Sequence, residues 1–64
     1  MEVDLRGWYN KGFGAYEKQV GFTIYTVYIH SDMFETTELD YRGNVFSTMI
    51  ESINERVIKE INRI

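Results

Sequence analysis

The sequence predicts an α+β domain in which a three-stranded antiparallel β-meander precedes one C-terminal α-helix packed on one face of the sheet. Three observations predict this β-β-β-α order. Val20–His30 is the longest apolar run and is rich in β-branched and aromatic residues, as expected of a central strand. Shorter segments on both sides of it alternate between apolar and polar side chains. The C-terminal segment carries apolar residues at helical spacing.

Length and composition limit the possibilities further. The chain has 64 residues, which predicts a single domain (1–64) with a small core. It has no cysteine and one histidine, so no disulfide, thiolate metal site or histidine-rich metal site is expected, and no cofactor is predicted. Oligomerisation remains as a source of stability. No signal-peptide pattern or membrane-length apolar run is present, so we expect a cytoplasmic protein that does not contact a membrane.

The first segment, Glu2–Tyr9, alternates between apolar and polar side chains, and we expect a half-buried strand there. Residues 10–12, Asn-Lys-Gly, are typical of a turn. Residues 13–19 leave two alternatives open. They fit an extension of the next strand with a bulge at Gly14 or Gly21, or a longer hairpin loop.

The central strand, Val20–His30, is followed by turn-forming residues at 30–33. A third and more polar strand is predicted over Phe34–Tyr41, and residues 42–44 end it. A helix is then predicted over Val45–Arg63 with Asn44 as its N-cap. The stripe that predicts the helix has 4-3-4-4-3 spacing and consists of Phe46, Ile50, Ile53, Val57, Ile61 and Ile64.

One helix covers only one face of such a sheet, and the alternation of the strands selects the face. Leu39 and Tyr41 in the third strand predict that odd positions of the outer strands face the helix. A two- or four-residue loop after the central strand would then place even positions of that strand on the same side. These are Val20, Phe22, Ile24 and Tyr28. A three-residue loop would reverse the assignment.

This assignment leaves large apolar side chains on the face away from the helix, bordered by charges, as in a protein-binding surface. The acidic surplus lies in residues 32–42 and favours a partner with a basic surface. Two blander alternatives are that residues 13–19 cover the apolar face and that the acids are a solvated edge strand. The predicted binding residues are Trp8, Tyr25, Val27, Ile29, Phe34, Glu35, Glu38 and Asp40.

The sequence also suggests two further interaction surfaces, one on the predicted helix and one on the first hairpin. Val45, Met49 and Ile58 widen the helical stripe, so they are candidates for a homodimer contact, the alternative being that they widen the core. Aromatic and basic residues also interleave along the first hairpin, which is the pattern of a single-stranded nucleic-acid site. Those residues are Arg6, Trp8, Lys11, Phe13, Tyr16 and Lys18. Nearby acids and a pI near 4.9 make nucleic acid the weaker expectation.

No catalytic constellation is present in the sequence. The lone His30 adjoins Ser31 and Asp32, but neighbouring residues in a chain point in different directions and do not make a triad. The leading prediction is therefore a non-enzymatic protein-binding module, a small acidic inhibitor or adaptor that acts as a homodimer. The alternatives are a single-stranded nucleic-acid binder and a structural subunit of a larger assembly.

Overall fold

The structure is a computed structural model that describes residues 2–64 and contains five β-strands and one C-terminal α-helix. All neighbouring strands are antiparallel, and the order of the strands in the sheet follows the chain. The α+β class is as predicted, but the three-stranded meander is wrong because two further strands extend the sheet. The elements are β1 (Tyr9–Gly12), β2 (Ala15–Val20), β3 (Thr23–Tyr28), β4 (Met33–Leu39), β5 (Val45–Ser52) and α1 (Glu55–Arg63).

The N-terminal segment is not the strand predicted over Glu2–Tyr9, since β1 begins only at Tyr9. The N–H of Trp8 donates to the carbonyl of Leu5 at 3.0 Å and closes a turn. The apolar positions still face inward, because Val3 and Leu5 pack against the core. The alternation thus indicates burial correctly at Val3 and Leu5 but not at the end of the segment, where Trp8 is buried and Tyr9 is exposed, and the segment forms no strand of the sheet.

The first hairpin turns later than predicted. The Asn-Lys-Gly residues 10–12 belong to β1, and the turn is made by Phe13 and Gly14, with φ of 55° and 77°. Positive φ at both central residues is typical of the type I′ turn that joins two-residue hairpins. Residues 15–20 form β2, so the segment 13–19, for which the sequence allows two alternatives, is largely a separate strand.

The predicted central strand, Val20–His30, is divided by a two-residue turn at Gly21 and Phe22. Gly21 has φ of 62°, which ends β2 at Val20 and starts β3 at Thr23. Strand β4 agrees with the predicted third strand to within two residues at either end. The four residues 29–32 connect β3 to β4.

The predicted helix is wrong over its first half, where Val45–Ser52 forms β5. Apolar and polar residues alternate there in pairs (Val-Phe, Ser-Thr, Met-Ile, Glu-Ser), and this four-residue spacing resembles that of a helix. Valine, phenylalanine and threonine nonetheless favour strands. The helix begins after Asn54, whose Oδ1 accepts a hydrogen bond from the N–H of Val57 at 3.0 Å, so Asn54 is the N-cap in place of Asn44.

The core lies between the helix and one face of the sheet. Val27 and Phe34 on the sheet are fully buried beneath Val57 and Ile61 of the helix, and Trp8 from the N-terminal segment completes the cluster. A core of this size is small, as expected for so short a chain.

Candidate functional site

The helix covers the face of the sheet opposite to the one predicted. The four-residue loop pairs Tyr28 with Met33, so the register of the two strands is as expected. However, the helix packs on the face that carries Val27 and Phe34, which are 0% and 1% exposed. The prediction relied on Tyr41, which lies in a turn after β4 and is largely exposed. The residues that the helix needs to bury were therefore assigned to the wrong side.

Most of the apolar residues predicted to bind a partner consequently form the core. Trp8, Val27 and Phe34 are buried in it, and the ring of Tyr25 stacks on Phe34 with 5.9 Å between ring centroids. Ile29 lies in the β3–β4 loop and is 38% exposed. These five side chains do not make a common exposed patch, so the predicted apolar binding surface is wrong.

The predicted acidic residues divide between the two faces and the turn that follows β4. Glu35 lies on the open face and accepts a long hydrogen bond, 3.5 Å, from the hydroxyl of Tyr28. Glu38 lies on the helix face and accepts one from Thr23 at 2.8 Å. Asp40 organises the β4–β5 turn, where its Oδ1 accepts the N–H groups of residues 42 and 44 at 2.8 and 2.9 Å. Asp40 is thus engaged in local structure.

The basic side chains of the proposed nucleic-acid site are dispersed and engaged by other groups. Arg6 donates to Asp4 at 2.8 and 2.9 Å, and these hydrogen bonds lower the pKa of Asp4 from 3.8 to about 2. Lys11 pairs with Glu17 at 3.6 Å, and Lys18 donates to the carbonyl of Ile64 at 2.8 Å.

The aromatic residues of that site are separated as well. Trp8 is buried and Tyr16 packs against the core, while Phe13 stands fully exposed at the tip of the β1–β2 hairpin. The structure thus does not bring the six residues together as one surface for stacking bases, because the strand and turn boundaries differ from those that placed them on one hairpin.

The most exposed apolar segment is instead β5. Val45, Phe46, Met49 and Ile50 are 61%, 67%, 59% and 55% exposed. No charged residue occurs between Val45 and Ile50. Two of the predicted dimer residues, Val45 and Met49, lie on this strand, whereas the third, Ile58, is a buried residue of the helix.

Strand β5 is also an edge of the sheet, with its outer side unpaired in the described residues. The N–H of Leu39 donates to Phe22 next to β3, so even-numbered residues of β4 direct their N–H and C=O groups toward β5. Their partners in β5 are Ser47, Met49 and Glu51. The alternating residues of β5 therefore direct their groups outward, and these are Thr48, Ile50 and Ser52.

The opposite edge of the sheet, formed by β1, is much less suited to pairing with a further strand. That strand has four residues, and its pairing with β2 is irregular between Asn10 and Gly12. The side chain of Asn10 accepts the N–H of Gly12 at 2.8 Å, and Lys11 places a charge on this edge. Short length, irregular pairing and lysine are features that protect sheet edges from further pairing. Strand β5 has eight residues, no lysine and no proline.

No secondary-structure element among residues 2–64 covers the face away from the helix. Register places Ile24, Tyr28, Met33 and Ile50 on this open face, and all but Ile50 are half-buried by their neighbours. Thr26 at its centre is only 4% exposed. This open face is continuous with the exposed side of β5, so a strand added at the edge would also extend it.

Sequence reasoning missed β5 as a surface because its first residues were assigned to a helix. The paired pattern was nonetheless a usable signal. In a strand, each apolar pair places one side chain on each face, as Met49 and Ile50 do. A strand with apolar side chains on both faces is typical of a sheet that is covered on both faces. In this structure Met49 on one face and Ile50 on the other are both largely exposed.

Searches against protein-family models, curated proteins and solved structures found no match to this chain. Among residues 2–64, no three histidine, cysteine, aspartate or glutamate side chains lie close enough together to hold a metal ion. In the same part of the chain, no helix has the length and apolar character needed to cross a membrane.

Proposed function

We propose that this protein is a non-enzymatic protein-binding module, of the adaptor or inhibitor kind, that binds its partner by adding a strand to the edge of β5. The observation that carries the proposal is the exposure of an eight-residue, proline-free edge strand with apolar side chains on both faces. Strand addition uses main-chain hydrogen bonds for affinity and alternating side chains for specificity.

The geometry of β5 supports this mode of binding. Thr48 and Ile50 direct N–H and C=O groups outward at regular spacing, and an incoming strand would satisfy them. Met49 on the helix face and Ile50 on the open face would each lie beside a side chain of that strand. Since each side chain is already nearly half covered, burying the rest would add a hydrophobic contribution of roughly 1 kcal/mol per side chain.

The partner is expected to be selected by shape and apolar contact more than by charge. Asp40 is engaged in the β4–β5 turn, and Glu38 lies on the helix face. Of these three predicted acids, Glu35 is the one that lies on the open face. A basic group on the partner would pair with Glu35 there. The preference for a partner with a basic surface, expected from the sequence, is therefore kept but rests on one acid instead of three.

Matched lysine substitutions test the proposal. Met49→Lys places a charge on the β5 edge, whereas Val20→Lys changes a side chain of similar exposure, 50% against 59%, on the same face but distant from β5. The wild-type chain and both variants, shown to be folded by circular dichroism, are used to capture proteins from source-cell extract. We expect a specific partner, which can be an untagged copy of this chain, to be retained by Val20→Lys and lost by Met49→Lys.

Amide hydrogen exchange provides a second readout that depends on the edge itself. In the free chain the N–H groups of Thr48 and Ile50 should exchange rapidly, while those of Met49 and Glu51 are protected by pairing with β4. Binding at the edge should protect Thr48 and Ile50. Capture of the same partner by Met49→Lys, with no new protection at these two amides, would show that β5 is not the binding edge.

A further inference from the structure

We infer that the strand added to β5 is β5 of a second copy, so that two five-stranded sheets join into one across a two-fold axis. This inference rests on the proposed function and names the partner. The two β5 strands run antiparallel, with Thr48 and Ile50 of each chain exchanging main-chain hydrogen bonds with the other. Both helices then lie on the same face of the joined sheet.

Symmetry restricts how the two strands can be aligned. A two-fold axis perpendicular to the sheet pairs each residue with a residue of the partner subunit on the same face. Side chains in a strand alternate between faces, so paired positions must both be odd or both be even. The axis therefore passes between the two copies of one β5 residue, and this residue pairs with itself. The irregular pairing near Val45 leaves Ser47–Ser52 as the regular part of the strand.

Two residues near the middle of this part, Met49 and Ile50, are candidates for the residue that faces its own copy across the axis. Centring on Met49 places this side chain against Met49 of the partner subunit, and places Ser47 opposite Glu51 of the partner subunit. Centring on Ile50 instead places Met49 against the Glu51 carboxylate, which is already paired with Arg56. Apolar contact between the two Met49 side chains favours the first alignment, because the second buries an apolar group beside a charge.

Other features of the chain favour a second copy over an unrelated strand. The segment from Val45 to Ile50 is uncharged, so pairing it with itself brings no like charges together. The core of one chain rests on a few buried side chains, and a joined sheet would cover the exposed sides of Met49 and Ile50. The protected β1 edge opposes head-to-tail pairing, so the assembly closes as a dimer and does not grow into a fibre.

Single cysteine variants test this alignment, because the natural chain has no cysteine. Met49 directs its own N–H and C=O toward β4, so across the dimer axis it forms a non-hydrogen-bonded pair. The α-carbons of such a pair lie roughly 4.5 Å apart, within the range of a disulfide. Ser47→Cys is the matched control, since the two copies of residue 47 would lie about 13 Å apart along the strands.

Under a mild oxidant we expect Met49→Cys to form a disulfide-linked dimer at least tenfold faster than Ser47→Cys, and the wild-type chain to show the mass of two chains by light scattering. Fastest cross-linking at Ile50→Cys would overturn the alignment, and a mass that grows with concentration beyond two chains would overturn closure. A monomer at all concentrations would overturn the second copy as partner. The capture experiment with Met49→Lys would then still decide whether β5 binds a different protein.

Discussion

The imidazole ring of His30 occupies the space beside Gly14 where a Cβ would lie, so a Cβ added to Gly14 would overlap His30 Cδ2. The main chain reinforces this approach, because the N–H of Ile29 donates to the carbonyl of Gly14 at 2.9 Å. The β3–β4 loop is thereby held against the tip of the first hairpin. The single histidine of the chain thus packs against Gly14, a contact that the sequence alone does not indicate.

Replacing Gly14 by alanine should destabilise the fold more than the same change at Gly21. Both glycines have positive φ, 77° and 62°, where an L-residue costs roughly 1–2 kcal/mol. Only at Gly14 does the new methyl group also meet a side chain. Urea denaturation should therefore give a larger loss for Gly14→Ala, and adding His30→Ala should reduce that excess. Equal losses at the two glycines would mean that the His30 ring moves aside freely.

Phe13 should be replaceable by asparagine with a gain in stability. Its φ is 55°, a left-handed conformation that is unfavourable for a bulky residue and favourable for asparagine before glycine in a type I′ turn. The side chain is fully exposed, so no packing is lost. We expect Phe13→Asn to raise the free energy of unfolding by about 0.5–1 kcal/mol. Phe13→Ala is the control, since it removes the ring and retains the unfavourable φ; equal stability of the two variants would contradict this explanation.

The two asparagines that precede apolar segments should differ sharply in their effect on stability. Asn54 accepts the N–H of Val57 at the start of the helix, and Asn54→Ala should cost about 1 kcal/mol. Asn44 interacts with Asp40 only through its main chain, so Asn44→Ala should change stability by less than about 0.5 kcal/mol. Thermal unfolding of both variants measures the difference. A larger loss at Asn44 would instead support a helix that begins at Val45.

The wrong prediction of Asn44 as a helix N-cap shows which parts of the fold the sequence pattern can and cannot predict. Periodicity correctly indicated the inward positions Ile53, Val57 and Ile61, but it could not tell that Phe46 and Ile50 lie in a strand. The apolar pairs fit both structures when neighbours are unknown. The choice between strand and helix is made by pairing with β4, an interaction between two segments that the pattern within one segment does not encode.

The same limit applies to the candidate site. The register between β3 and β4 follows from a four-residue loop and was predictable, whereas the face that the helix covers depends on where the helix begins. Because residues 45–52 form β5, the helix is short, and it packs on the face of the sheet that carries Val27 and Phe34. The sequence pattern therefore places Trp8 and Tyr25 in a binding surface, whereas Trp8 lies in the core and Tyr25 packs against it.

The ion pair between Asp4 and Arg6 should be measurable by titration. Hydrogen bonds from the Arg6 guanidinium and main-chain N–H hold the pKa of Asp4 at about 2 and raise that of Arg6. Carboxyl NMR should show this midpoint, and Arg6→Ala should return it toward 3.8. Because the folded pKa lies below the unfolded value, the contribution to stability is complete above about pH 4 and is lost as the pH falls toward 2. An unchanged midpoint in Arg6→Ala would exclude the ion pair as the cause.

Alanine substitutions at Trp8 and at the adjacent Tyr9 should have very different effects on stability, because Trp8 lies in the core and Tyr9 on the surface. Trp8 is 9% exposed within the core cluster, whereas the adjacent Tyr9 is 69% exposed. Trp8→Ala should lower the free energy of unfolding by about 3–5 kcal/mol, through lost burial and the cavity left behind. Tyr9→Ala should change it by less than about 0.5 kcal/mol. Denaturant titration followed by circular dichroism measures both variants. A folded and stable Trp8→Ala protein that has lost only partner binding would return Trp8 to the interaction surface predicted from the sequence.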